Sequence, residues 1–238
     1  MMERHFLNKS RQTMVHTVQN KTRYPVELEN KKLCIFGTGG FGRETLLIFI
    51  DSLTGTDYRY QDMVVFMVTD SEYYEREIMG IPVIRQSEFD TALYKTVVAI
   101  GEPAIRKEVV KQLPEQTEFV TLIHPTVVMS EWVELGHGSI VTAGTIITCN
   151  IKIGNHAQLN LHTTIGHDCN IGAYFTTAPG AKISGICEFG NCVYFGTSAI
   201  VRQGINICSN VTIGMGGVVV KDVKVPGVYV GNPLRKLK

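Results

Sequence analysis

The stretch Asn160 to Ala173, NLHTTIGHDCNIGA, sets two histidines, a carboxylate and a thiol close together. Three chemistries are open to such a set. His162 and His167 could hold a metal ion, His167 beside Asp168 could be a general base with its orienting acid, and Cys169 could be a nucleophile. A second candidate lies upstream, where Gly37, Gly39 and Gly42 of KLCIFGTGGFGRE form a G-x-G-x-x-G turn after an apolar strand. Such a turn aims helix N-terminal N–H groups at a phosphate. Asp70, beyond the next apolar stretch, is placed to meet a ribose or base.

What these residues can do depends on the backbone beneath them. From Ile123 to Val225 every sixth residue is apolar except Thr177, with no insertion. Four residues past each anchor, from Val127 to Val211, the side chains are small or apolar. Glycine recurs directly after the anchor, at Gly136, Gly154, Gly166, Gly172, Gly190, Gly196 and Gly214. A six-residue unit with two inward positions and a turn-permissive glycine is one short strand and one corner of a β-helix.

This register sorts the cluster. His167 falls two residues past anchor Ile165 and His162 three past Leu159, both at corners and both directed outward. Gly185 lies one coil after His167 and Cys149 one coil before, stacked about 4.8 Å apart. Cys169, four past an anchor, points into the core with Cys187, a poor setting for a thiolate. No third ligand recurs at the corner of His162, so no metal is expected.

Ahead of the repeat, residues 31–120 read as strand, glycine turn and helix, followed by further such units. The strands are Leu33 to Phe36, Val64 to Val68 and a third ending at Gly101; one helix runs through Ile50 and another starts near Pro103. Ile105, Val109 and Leu113 share one face of that second helix, which reads as core. The domain is about half a full dinucleotide fold and suits a mononucleotide better. Residues 1–30 are polar, with no apolar period, and could form a mobile arm. The fold class is therefore α/β + all-β, a small Rossmann-like N-terminal domain over 31–120 followed by a β-helix over 121–238.

Composition narrows the partners. With 23 Lys+Arg against 22 Asp+Glu, no electrostatic case exists for nucleic acid or anionic lipid. The longest aliphatic or aromatic run, Leu46 to Ile50, is too short for a membrane span or a signal-peptide core, so a cytoplasmic protein is expected. The six cysteines include no C-x-x-C pair and read as reduced thiols.

The blocks IGHDCNIGAYF, FGNCVYFGTSAI and VTIGMGGVVVKDV resemble the hexapeptide-repeat acyltransferases, whose coils of about eighteen residues form a left-handed parallel β-helix. From about Lys31 onward, GTGGFGRE, VTDSE, GIPVI, AIGEPAIRKEV, LIHPTVV, PGAKISG and VGNPLRKLK resemble the bacterial sugar acetyltransferases of the sialic acid O-acetyltransferase and nucleotide-aminosugar N-acetyltransferase type. The resemblance implies a homotrimer that uses acetyl-CoA. It places Gly39, Gly40, Phe41, Asp70, Gly101 and Asn160 at the nucleotide-sugar, and Thr176, Gly185, Thr197 and Met215 at acetyl-CoA. Phe41 stands where some members carry a histidine, and Thr176 where the N-acetyltransferases often carry a second one.

On this reading His167 deprotonates the acceptor, Asp168 orients it and the Gly185 N–H stabilises the oxyanion, with no acyl-enzyme. Three functions follow: N-acetylation of a nucleotide-linked aminosugar, O-acetylation of a sugar such as a sialic acid or a surface-polysaccharide precursor, or a non-catalytic nucleotide-sugar-binding scaffold.

Overall fold

A computed structural model describes residues 26–237. Most of the predicted polar arm lies outside the described residues. Residues 26–30 already belong to the small domain, because Leu28 is buried in its core and Glu29 pairs with Lys95 at 3.0 Å.

The small domain is a five-stranded sheet. Its elements are β1 (Lys32–Phe36), α1 (Gly40–Ser52), β2 (Val64–Val68), β3 (Glu77–Ile78), β4 (Ile81–Arg85), β5 (Tyr94–Val98) and α2 (Pro103–Gln112). The order is β3-β4-β2-β1-β5, parallel except for β3. All five residues of β2 are buried, as expected of a central parallel strand covered on both faces. Leu46 and Phe49 of α1 pack on one side of the sheet, Val109 of α2 and the following Leu113 on the other.

The helical face predicted for α2 is corrected at one position. Ile105 is 55% exposed, and its neighbour Arg106 is the residue that is fully buried. The cause is packing: α2 lies against the second domain as well as against its own sheet.

That second domain is a left-handed parallel β-helix. Strand pairs such as Ile146↔Thr164 and Thr164↔Lys182 lie eighteen residues apart along the chain. Three sheets result. The first face runs from Leu122–Ile123 through Gln158–Leu159 to Gly227–Val230, the second from Val128–Met129 to Val218–Val219, and the third from Val133–Leu135 to Asn206–Ile207. The anchors from Val141 to Val219 are buried, including the polar Thr177, whose hydroxyl bonds the Thr163 hydroxyl at 2.7 Å. Leu122 and Ile140 join the small domain's core, so the two domains share a packed boundary.

Two expectations about the repeat are corrected. The recurrent glycines after the anchors are not there for φ: left-handed backbone falls two residues later, at Asn150, His162, Asp168, Ile186 and their equivalents. Those glycines allow close approach between coils. A Cβ on Gly166 would sit 2.6 Å from the Gly185 nitrogen, and one on Gly196 2.6 Å from the Met215 nitrogen. The hexad also fails at its end. Val211 pairs with Gly227 and Ile207 with Val223, sixteen residues apart, so the last coil is two residues short. Val223 takes the inward place and Val225 is 53% exposed. The stack then closes with a short antiparallel pair, Tyr229↔Lys236 and Val230↔Arg235.

Truncating these two valines separates the registers. Val223→Ala should cost about 2 kcal/mol, from two buried carbons and the cavity they leave, while Val225→Ala should stay within about 0.5 kcal/mol. Urea midpoints of the two variants measure the difference.

Candidate active site

His167 and Asp168 occupy the corner between the second and third faces, just past the strand Thr164–Ile165. Asp168 adopts φ 58°, the left-handed backbone that makes the corner. That turn brings its carboxylate back to its neighbour, and His167 Nδ1 lies 2.8 Å from Asp168 Oδ2. Both residues are exposed. With Nδ1–H donating to the carboxylate, Nε2 carries the lone pair.

One coil before Asp168, at the same corner, Asn150 Nδ2 donates to Asp168 Oδ1 at 3.2 Å. The Asp168 carboxyl is held below its ordinary pKa, first by the His167 hydrogen bond and second by Asn150. Asn150 was not singled out from the sequence, although the register places it eighteen residues before Asp168. On the other side, a Cβ on Gly185 would stand 2.8 Å from His167 Cε1 and Nε2. Glycine there keeps the basic nitrogen open. Among the described residues the Gly185 N–H has no protein acceptor, although the residue itself is buried beside the imidazole.

The other members of the cluster separate. His162 sits at the corner between the first and second faces, one face away from His167, so the two cannot share a metal ion. Cys169 is buried, and its Sγ accepts the Cys187 N–H at 3.5 Å; the Cys187 thiol beside it and then burial raise its pKa. It packs the core.

The glycine turn is built as its pattern requires. Gly37 has φ 108°, and a Cβ on Gly42 would fall 2.0 Å from the Gly37 carbonyl oxygen, so the first glycine makes the turn and the last lets α1 approach it. Gly39 and Gly40 face open space. They line a cavity of about 470 Å³ with Thr38, Phe41, Glu72, Arg76 and Gly101. Arg76 Nη2 lies 3.4 Å from Thr38 Oγ1, putting a cation beside the turn that no sequence signal marked.

Asp70, expected at this cavity, is outside its lining. Its carboxylate accepts the Ser87 N–H at 3.1 Å and the Ser87 hydroxyl, and that hydroxyl is the main reason its pKa is lowered. The short helical turn Asp70–Glu72 after β2 directs it there.

A second cavity of about 260 Å³ shares Phe41 and Gly101 with the first and continues along the β-helix past Gln158, Asn160, Pro179, Tyr194 and Thr197. Thr197 and Met215 stack one coil apart at the first-to-second corner, where the Gly216 N–H donates to the Thr197 carbonyl at 2.8 Å; Met215 is 80% exposed. Thr176, expected near the acetyl-CoA thioester, has its hydroxyl committed to the domain joint, donating to the Gly101 carbonyl at 3.0 Å and accepting from Arg106 at 2.8 Å. Among the described residues no group of three His, Cys, Asp or Glu side chains is placed to hold a metal ion.

The Asn150 contact is open to direct measurement. Asn150→Ala should raise the Asp168 carboxyl pKa toward its ordinary value, read by carboxyl ¹³C chemical shift. Losing one hydrogen bond of about 1 kcal/mol should lower the rate about fivefold.

Residues 32–113 match the family model described as the PglD N-terminal domain. A GDP-perosamine N-acetyltransferase from Escherichia coli O157:H7 is 34% identical over 178 residues, covering 72% of this chain and 78% of its own. The acetyltransferase domain of PglB from Neisseria gonorrhoeae FA1090, solved in complex with acetyl coenzyme A, has a TM-score of 0.78 at 28% identity, over 87% of this chain and 100% of its own. PerB from Caulobacter crescentus, solved in complex with CoA and GDP-perosamine, has a TM-score of 0.76 at 25% identity, over 90% of this chain and 100% of its own. Sequence likeness across both domains and the shared fold lead to one conclusion: the chain belongs to the PglD-like family of hexapeptide-repeat sugar acetyltransferases.

Proposed function

We propose that the protein transfers the acetyl group of acetyl-CoA to the amino group of a nucleotide-linked aminosugar. The observation that carries this reading is the continuity of the two cavities. The first supplies the N-terminus of α1 and Arg76 for a diphosphate, and the second leads from Gly101 onto the β-helix. Relatives that hold CoA with GDP-perosamine, or acetyl coenzyme A, share this fold.

In the reaction His167 Nε2 takes the amine proton as nitrogen attacks the thioester carbonyl, and Asp168 stabilises the imidazolium that forms. The Gly185 N–H faces the developing oxyanion. Collapse of the tetrahedral intermediate expels CoA thiolate and leaves the amide. Thr197 and Met215 stand along the edge that the pantetheine arm would follow.

The second cavity favours a sugar without a carboxylate over a sialic acid. None of its lining residues is charged, so an acceptor carboxylate would be desolvated there without a partner.

The site is completed by a second copy of the chain, and a homotrimer is the assembly that fits. Across one face, about five residues at 3.3 Å each put His167 roughly 15 Å from the corner that borders the second cavity, too far for one chain to join them. Between the two corners the second face exposes Val128, Ile146 and Ile200, with Thr164 and Lys182 stacked between the last two, a mixed face that a neighbouring prism could cover. Six free cysteines and the use of acetyl-CoA fit a cytoplasmic location.

Acetyl-CoA offered with UDP-, GDP- and dTDP-linked aminosugars should release free thiol with at least one acceptor, and mass and NMR analysis of the product should show an amide. An ester product, or no thiol with any acceptor, would refute the reading. His167→Ala should lower the rate about 100- to 10,000-fold. Gly185→Ala, which presses a methyl group on the imidazole, should lower kcat/KM while leaving the denaturation midpoint near that of the parent protein. Light scattering should give three times the chain mass.

A further inference from the structure

Arg106 lies on α2, outside the lining of both cavities, and is fully buried. Its guanidinium meets six acceptors drawn from two parts of the chain. Nη1 donates to the carbonyls of Ile100 at 2.5 Å and Gly101 at 3.2 Å, just past β5. Nε donates to the His156 carbonyl at 3.0 Å. Nη2 donates to the carbonyls of Tyr174 at 2.9 Å and Phe175 at 3.3 Å, and to the Thr176 hydroxyl at 2.8 Å. Thr176 closes the ring by donating to the Gly101 carbonyl at 3.0 Å. Among the described residues no carboxylate forms an ion pair with this cation.

A buried cation held only by neutral oxygens is an expensive way to join two domains, since apolar side chains of the same volume would pack there at no desolvation cost. What it adds is geometry. The planar fork holds acceptors on both domains at fixed directions, and one of them is Gly101, which with Phe41 lines both cavities. A nucleotide anchored in the first cavity presents its sugar at a place set by the position of Gly101 against the β-helix.

We infer that Arg106 is a positioning residue that, through Gly101 and Thr176, fixes the span between the nucleotide cavity and the acetyl-transfer groove and so sets the advantage of a nucleotide-linked acceptor over an unlinked one. The inference rests on the nucleotide-linked aminosugar being the acceptor. An amine held about 1 Å from its productive place reacts about 100-fold more slowly, and that loss falls only on an acceptor whose sugar is placed through its nucleotide.

The test uses the full chain with Arg106→Lys, which keeps the charge but not the fork, and Arg106→Gln, which keeps a short planar donor without the charge. For each variant, kcat/KM is measured with the nucleotide-linked aminosugar and with the same aminosugar unlinked, at saturating acetyl-CoA. Calorimetry gives Kd for GDP, UDP and dTDP. The linked rate should fall about 10- to 100-fold, while the unlinked rate, the KM for acetyl-CoA and the nucleoside diphosphate Kd move less than about twofold. Equal losses with both acceptors, as a purely structural role would produce, overturn the inference, and so does an unchanged linked rate in Arg106→Lys. Failure of the parent protein to bind any nucleoside diphosphate or acetylate any linked sugar is a different result, and it overturns the functional reading together with the inference.

Discussion

The parallel stacking of coils eighteen residues apart is the constraint on which the rest of the molecule depends. Each coil repeats the backbone of the one below, so residues distant in sequence become neighbours at a fixed spacing along an edge. His167 receives its open neighbour Gly185 from one coil above, and Asp168 its second hydrogen bond from Asn150 one coil below. The repeat supplies rigidity to a histidine–aspartate pair that is itself exposed. A loop could present the same pair of side chains, but without two adjacent coils to fix how they face one another.

The small domain solves a different problem. A cavity at the carboxyl ends of parallel strands is an ordinary product of the fold, yet here it has to be held against a rigid prism. Apolar packing supplies part of the joint, with Leu122 and Ile140 in the shared core. Directional bonds supply the rest. Gln158 Nε2 donates to the Val98 carbonyl at 2.8 Å, His124 Nε2 lies 2.9 Å from Asp51 Oδ2, and Arg106 spans both sides. Hydrophobic contact is non-directional, so these bonds are what define the angle at which the domains meet.

Much of this was legible in the sequence, because each inward position of the repeat makes one simple demand and makes it many times. The anchors, the corner position of His167, its pairing with Gly185 and the burial of Cys169 all follow from counting by six. What was not legible had ambiguous local signals. Val223 and Val225 are both apolar, and only pairing reveals that the last coil is short. The glycines after the anchors looked like turn residues because glycine serves φ and close approach equally well. Arg106 is not singled out in the sequence, since a cation usually faces solvent; its β-helix acceptors lie 50 to 70 positions along the chain. Asp70 reads as lying beyond its strand and Thr176 is assigned by resemblance alone; their partners, Ser87 and Gly101, are set by tertiary structure.

The antiparallel pair that ends the β-helix bears on a hazard of the architecture. A stack of identical parallel rungs ends in an unsatisfied edge, and nothing in the repeat itself says where addition of rungs should stop. Any extended segment of another chain could serve as the next one. The short last coil breaks the rung spacing, and the chain then reverses so that Arg235 and Lys236, both exposed, form the outermost strand. Two adjacent cations on a reversed strand make a poor template for further growth, so this turn lets a protein built like a fibre segment remain a particle of finite length.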